Sequence, residues 1–215
     1  DLLLINTDLQ GNERWRTIFG EPNKNDYGYS IEFINNELIV GGQTYDNSTT
    51  AHPHLFKFNI QGNLIFDTTY NVYSNGGFLA YHDNYGLFLS ASVATPGGRN
   101  PAIVKLNQNL SVNWSKEYFK GNSMVFWEQI IITGDGLLAI TGVEIVNNVM
   151  TGFFFQTNHN GDSITTKLID HITGERAQFH DIRPTSDGGY IMAGEAHTPT
   201  QDSWVVKVNS YGCDN

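Results

Sequence analysis

The chain has 215 residues, 40% hydrophobic and 13% aromatic, so it can bury a substantial core and is not a disordered segment. Only 16% of residues are charged, with 22 acids against 12 bases and a net charge of −10, and no Lys/Arg cluster offers a footprint for a nucleic-acid backbone. No apolar run approaches a membrane span, the opening Asp1-Leu2-Leu3-Leu4-Ile5 lacks the basic flank of a signal peptide, and the single Cys213 excludes an intrachain disulfide framework.

Two ladders of short motifs run along the chain. The first is a turn: Asp8-Leu9-Gln10-Gly11, Asn59-Ile60-Gln61-Gly62, Asn107-Gln108-Asn109-Leu110, Asn158-His159-Asn160-Gly161 and Asn209-Ser210-Tyr211-Gly212 follow one another at intervals of 51, 48, 51 and 51 residues. The second, out of phase with it, is apolar and ends in small residues: Leu38 to Gly42, Leu87 to Ala91, Leu138 to Gly142 and Tyr190 to Gly194. Between Gly, Asn, Asp and Pro, β-branched and aromatic residues come in blocks of strand length. In the second unit the pattern predicts strands over Tyr29 to Ile34, Leu38 to Thr44, His54 to Asn59 and Leu64 to Tyr70, or four strands per repeat. Asn59 to Asn63 reads as a short hairpin, and Asn35-Asn36 and Ser186 to Gly189 as further turns.

A four-stranded antiparallel unit of about fifty residues cannot cover both of its faces, and stacking such units is the β-propeller solution. The sequence therefore predicts an all-β, propeller-type array of four-stranded blades, with repeats near 1–51, 52–99, 100–150 and 151–201 and a partial fifth at 202–215. The alternative is a β-sandwich with coincidental spacing. Small residues at Gly42, Ala91, Gly142 and Gly194 fit a crowded place where inner strands converge. Asp1 and Asp202 stand in the same repeat phase, so both ends supply a third strand, and we expect an arc of a larger ring.

The run Ser186-Asp187-Gly188-Gly189-Tyr190-Ile191-Met192-Ala193-Gly194, followed by Asp202-Ser203-Trp204-Val205-Val206-Lys207-Val208-Asn209, resembles the DGGYI and VKLD-GN-W repeats of surface and secreted bacterial β-propellers that use the type 9 secretion system. Val104 to Asn107 with Trp114 to Tyr118, and Asp8 to Trp15 ahead of Phe19-Gly20, repeat pieces of it. Phe66 and Thr165 depart from the pattern where Trp15 and Trp114 keep it, and Leu110 replaces the turn Gly. The resemblance implies an exported, outer-membrane-associated or secreted protein whose repeats are commonly followed by a sorting domain.

Trp15 and Trp114 share one phase and read as wedges between blades or as stacking platforms for a sugar. Trp127 and Trp204 are off that phase and can be exposed. Seven histidines (His52, His54, His82, His159, His171, His180, His197) include a tight group, His180-Asp181 with His171, but without HExxH or a Cys partner they read as scattered strand and loop residues. Asn6, Asp8, Gln10 and Gly11 echo a calcium loop, yet Thr17 stands where a bidentate acid is needed. Asn47-Ser48-Thr49, Asn109-Leu110-Ser111 and Asn113-Trp114-Ser115 match the N-linked acceptor pattern, while Asp67-Thr68-Thr69 and Asp162-Ser163-Ile164 are similar to an O-linked one.

These positions supply no catalytic set, metal site or cofactor site. The residues singled out, Asp8, Gly11, Trp15, Gly42, Asn59, Gly62, Asn107, Trp114, Gly142, Asn158, Gly161, Gly194, Asn209 and Gly212, read as structural repeat positions. The expected function is a non-enzymatic surface or secreted module that binds proteins or glycans through loops such as Tyr45 to Pro53, Thr95 to Pro101 and Thr198 to Asp202. Two alternatives stand beside it. One is a propeller-fold enzyme acting on glycans, or a quinone-dependent dehydrogenase; the other is an accessory subunit of the outer-membrane secretion machinery.

Overall fold

The computed structural model describes residues 1–20, 23–45, 50–96, 98–119, 124–146, 148–171, 175–197 and 199–213. Among them are seventeen antiparallel strands and no helix. A two-stranded sheet joins β1 (Leu2–Thr7) to β2 (Glu13–Phe19). Three four-stranded meanders follow: β3 (Asn25–Ile34), β4 (Glu37–Tyr45), β5 (Ala51–Asn59) and β6 (Leu64–Thr69); β7 (Ser74–His82), β8 (Gly86–Thr95), β9 (Gly98–Leu106) and β10 (Val112–Glu117); β11 (Met124–Ile132), β12 (Leu137–Val146), β13 (Val149–Asn158) and β14 (Ser163–Ile169). A three-stranded sheet, β15 (Arg176–Pro184), β16 (Tyr190–His197) and β17 (Gln201–Val208), ends the series. This is the propeller-type array of antiparallel blades that the period predicts. The end strands β1 and β17 both hold the third-strand position and belong to separate sheets.

The chain forms two compact units, Asp1–Leu79 and Ala80–Asn215, with the division inside β7. In the first, Leu2, Val40, Phe56 and Phe58 are buried together, with Leu4, Phe19, Leu38 and Leu64 packed around them. In the second, Phe154, Ile169, Phe179, Ile182, Tyr190, Met192 and Val208 form the equivalent layer between the sheets β11–β14 and β15–β17. Each fully buried apolar side chain of this size contributes about 1.5–3 kcal/mol.

The first ladder is a single turn used repeatedly. The Gly11 N–H donates to the Asp8 carbonyl (3.1 Å), while the Asp8 carboxylate accepts from the backbone N–H of Gln10 (2.9 Å) and Asn12 (2.8 Å). Asn59, Asn158 and Asn209 repeat this with their side-chain amide oxygens. The closing glycines Gly11, Gly62, Gly161 and Gly212 have φ between 75° and 85°, and Leu110 adopts φ 63° in their place. The Asp8 carboxylate is thus engaged in its own turn. At the Asn35-Asn36 hairpin both residues have positive φ (51° and 64°), as a two-residue I′ turn requires.

The glycines of the second ladder are needed inside their own sheets, and Gly42 also lies against Gly77 of β7, where an added Cβ would overlap the Gly42 carbonyl. The first strand of a blade bulges opposite the small residue: Tyr29 is extra between Gly28 and Ser30, Glu128 between Trp127 and Gln129, and His180 between Phe179 and Asp181. A Cβ added to Gly42, Gly142 or Gly194 would overlap the carbonyl oxygen of Tyr27, Phe126 or Gln178 respectively. The glycine makes room for the bulge inside its own sheet.

The fourth-strand tryptophans are wedges between blades. Trp15 donates from Nε1 to the Ile60 carbonyl (3.2 Å), and its ring lies 2.6 Å from where a Gly62 Cβ would stand. Trp114 and Tyr118 cover Gly161 in the same way, with Tyr118 Oη donating to the Gly161 carbonyl (2.8 Å) and Lys116 bridging to Asp162 (2.8 Å). Burial holds the Tyr118 hydroxyl protonated well beyond its ordinary range. Aromatic of one blade and turn of the next therefore interlock, and the small residue is the socket.

Candidate functional site

A bulge places two consecutive residues against one partner, so a side chain leaves the in-and-out alternation of the strand. In the second unit the first-strand bulges so displace Glu128 on β11 and His180 on β15, a carboxyl and an imidazole. The strands that carry them are linked directly after the bulge, where Gln129 Nε2 reaches Asp181 Oδ1 at 3.4 Å. Each of these two side chains also caps the next amide: Gln129 Oε1 accepts from the Ile130 N–H (3.0 Å) and Asp181 Oδ1 from the Ile182 N–H (2.9 Å). Arg183 pairs with Asp181 at 2.8 Å. The bulge is thus pinned on its C-terminal side in both strands.

Around His180 a polar chain continues onto β16. Its Nε2 lies 4.0 Å from Glu195 Oε2 and 3.2 Å from Gln178 Nε2. The same Gln178 amide donates to Glu195 Oε1 (2.8 Å), and His197 Nε2 approaches that oxygen at 3.4 Å. Gln201 at the start of β17 donates to the other Glu195 oxygen. Glu195 therefore has partners on both oxygens from three strands of one sheet.

The two glutamates are driven in opposite directions. Burial pushes the Glu128 carboxyl above the usual range, against a weaker pull from the nearby His180 charge. Burial acts in the same sense on Glu195, but the hydrogen bonds from His197 and Gln201 and the charges of His180 and His197 outweigh it and hold this carboxyl below the usual range. The two environments thus shift the carboxyls apart, an arrangement found where acid and base roles are divided.

Of the residues singled out from sequence, only His180, Asp181 and His197 fall in this cluster. His171 stands edge-on to Trp204 at 5.8 Å. Among the described residues no three His, Cys, Asp or Glu side chains converge as metal ligands. His54 is buried in the first unit, between Asp67 Oδ2 (3.1 Å) and Thr69 Oγ1 (2.9 Å). Trp127 is buried, 7% exposed, against Phe155 and Tyr118, and Trp204 stacks on Phe179 at 4.5 Å, so neither is an open platform. The segments expected to be binding loops are largely strand: Ala51 to Pro53 open β5, Gly98 to Pro101 open β9 and Gln201-Asp202 open β17. Residues 46–49, including Asn47-Ser48-Thr49, and residues 97 and 198 lie outside the described residues.

Glu128, Glu195, Gln178 and Gln201 were not legible as a site. The signal that locates the first is indirect: Gly142 and Gly194 each stand fourteen residues after a bulge residue, Glu128 and His180.

No protein-family model matches the chain, and no curated protein does. Its fold is similar to that of a mannose phosphorylase from Leishmania mexicana solved with phosphate ion, with a TM-score of 0.57 at 12% identity over 83% of this chain and 66% of that one. A bifunctional GH43-CE protein of Bacteroides eggerthii aligns with a TM-score of 0.53 at 10% identity, over 97% of this chain and 27% of that one. A GH43 endo-arabinanase from Bacillus licheniformis, at a TM-score of 0.44, 10% identity and coverage of 85% and 74%, is too distant to argue from. The chain spans less than two thirds of the first two proteins.

These findings correct the functional expectation. A non-enzymatic interaction module carried as secretion cargo rested on the lack of any catalytic set. The chain shares its fold with a mannose phosphorylase, and folding assembles carboxylates, imidazoles and amides from four strands, β11, β15, β16 and β17, whose members are up to 73 residues apart, from Glu128 to Gln201.

Proposed function

We propose that the chain is a propeller-fold enzyme acting on glycans, with Glu128 and Glu195 as its acid and base. The observation that carries this reading is the opposed environment of two carboxyls that both feel the His180 charge, one of them 4.0 Å from its ring. Likeness to a mannose phosphorylase and a GH43-CE protein supports the substrate class.

In this reading the protonated Glu128 carboxyl donates its proton to the glycosidic oxygen as the bond to the anomeric carbon breaks. The sugar departs from its leaving group with oxocarbenium character. A water then adds to the anomeric carbon and loses a proton to ionised Glu195, directly or through His180, so the products are two free hydroxyls. Gln178, His197 and Gln201 position Glu195 and keep it charged. Reducing-end release from a panel of neutral oligosaccharides tests the proposal. Glu128→Gln and Glu195→Gln are each expected to lower release by about 10²–10⁴-fold while remaining folded; release unchanged in both variants would sink it.

Export to the cell surface or medium is a separate proposal, supported by the repeats that resemble those of type 9 secretion substrates. Its partners would be surface glycans or outer-membrane components. Fractionation of the native cells checks it, since a purely cytoplasmic signal contradicts export.

A further inference from the structure

The first unit carries an aromatic surface with no part in the chemistry above. At the β3 bulge, Tyr27 and Tyr29 are near-parallel, 6.4 Å apart at 13°, and Tyr29 stacks on Phe78 of β7 at 5.1 Å and 17°. Tyr45 meets Tyr27 edge-on at 5.7 Å. Large exposed aromatics at one place are unusual, yet Tyr27 is 47% and Tyr29 39% exposed. The row is not loose. Gln43, itself buried at 8% exposure, donates from Nε2 to Tyr29 Oη and to Tyr45 Oη (3.3 Å), so a buried amide locks the ring edges. Ser30, next to the bulge, accepts from the Leu79 N–H (2.9 Å) and donates to the Gly77 carbonyl (3.1 Å), fixing β7 and hence Phe78 against it.

Beside the rings lies an open cleft of about 400 Å³ lined by Tyr27, Gly28, Tyr29, Ser30, Asp26 and Leu2, among others. That volume is within the range of small-molecule sites, which pair apolar walls with a few polar groups. Its lining includes the carboxylates of Asp1 and Asp26 and no Lys or Arg side chain. Flat apolar faces with hydroxyl and amide edges suit a ligand that is apolar on one face and hydroxylated at its rim. The carboxylates oppose an anionic ligand by like-charge repulsion.

We propose that this row and cleft form a binding site for a neutral sugar ring, stacked on Tyr27 and Tyr29, which discriminates against acidic glycans. The site is independent of the acid and base roles given to Glu128 and Glu195, although both readings concern glycans. It tolerates loss of catalysis, and catalysis on a short substrate tolerates its loss.

The experiment is saturation-transfer NMR with isothermal titration of the whole chain, using neutral tetrasaccharides of glucose, mannose, xylose, arabinose and galactose, with tetragalacturonate as the acidic probe. At least one neutral probe is expected to bind wild type and Glu128→Gln alike, with transfer to its ring C–H protons. Tyr27→Ser alone, and Tyr27→Ala with Tyr29→Ala, are expected to weaken that binding about tenfold or more, whereas Tyr27→Phe keeps it. Far-UV circular dichroism confirms that the variants fold, and Tyr27→Ser, at the more exposed ring, serves if the double variant does not. Binding of no neutral probe, tighter binding of tetragalacturonate, or binding unaffected by Tyr27→Ser overturns the proposal. So does self-association in sedimentation that Tyr27→Ser abolishes, because the row is then an interface between copies. A Glu128→Gln chain that binds sugar, beside a wild type that releases no reducing ends, sinks the enzyme reading and leaves this one standing.

Discussion

The same backbone device appears in both units and serves two chemistries. In the first unit the bulged residue of β3 is Tyr29, braced by Phe78 and a buried glutamine amide; in the second the bulged residues of β11 and β15 are Glu128 and His180, of which His180 approaches Glu195. The residue just after the bulge is polar in each case, Ser30, Gln129 or Asp181, and its side chain accepts from a backbone amide. The lesson is that the blade supplies a fixed place where one side chain is released from alternation. What stands there decides whether the place stacks or titrates.

If the bulge is the common element, its glycine socket must be equally indispensable in both units. Gly42→Ala and Gly194→Ala each drive a Cβ into a backbone carbonyl and are expected to cost about 4 kcal/mol or more, read by urea unfolding. Gly188→Ala meets no atom within 4 Å and is strained only by its φ of 84°, so it serves as the mild control, at about 1–2 kcal/mol. Equal costs at Gly188 and Gly194 would break the comparison.

The chemistry should divide where the bulges differ. Glu128→Gln is expected to lower kcat by about 10²–10⁴-fold, whereas Tyr29→Ala should leave turnover of a short substrate unchanged. The pH profile carries the sign. Glu128 is held above its ordinary range, so activity is present below its raised pKa and falls as pH rises through it; Glu195 is held below its ordinary range, so activity falls as pH drops through it. Glu195→Gln should remove the acid limb of whatever activity remains, and an unchanged acid limb would assign the base elsewhere.

Smaller effects test the seams. Trp15→Ala in the first unit and Trp114→Ala in the second should each cost about 2–3 kcal/mol by thermal or urea unfolding, since both rings fill a glycine socket while staying partly exposed. Least of all, Leu110→Gly is expected to change stability by no more than about 1 kcal/mol. It removes the strain of a left-handed residue, about 1–2 kcal/mol, and with it the burial of a side chain only 3% exposed, worth about 2 kcal/mol.

Strand number, strand period and blade class were determined by the sequence alone, because they rest on local alternation and on turn residues whose φ preference is written in their type. Asp8, Asn59, Asn158 and Asn209 each hold the backbone of their own turn, within four residues, so reading them needs no tertiary knowledge. The wedge role of Trp15 and Trp114 was half legible, as a shared phase, but its partner is a glycine 47 residues downstream in each case, Gly62 and Gly161. Only the tertiary structure decided the site. Glu128, Gln178, Glu195 and Gln201 carry no shared period, and what distinguishes them is burial and the approach of groups from other strands. Burial and cross-strand approach set a carboxyl's affinity for its proton, and both are properties of packing.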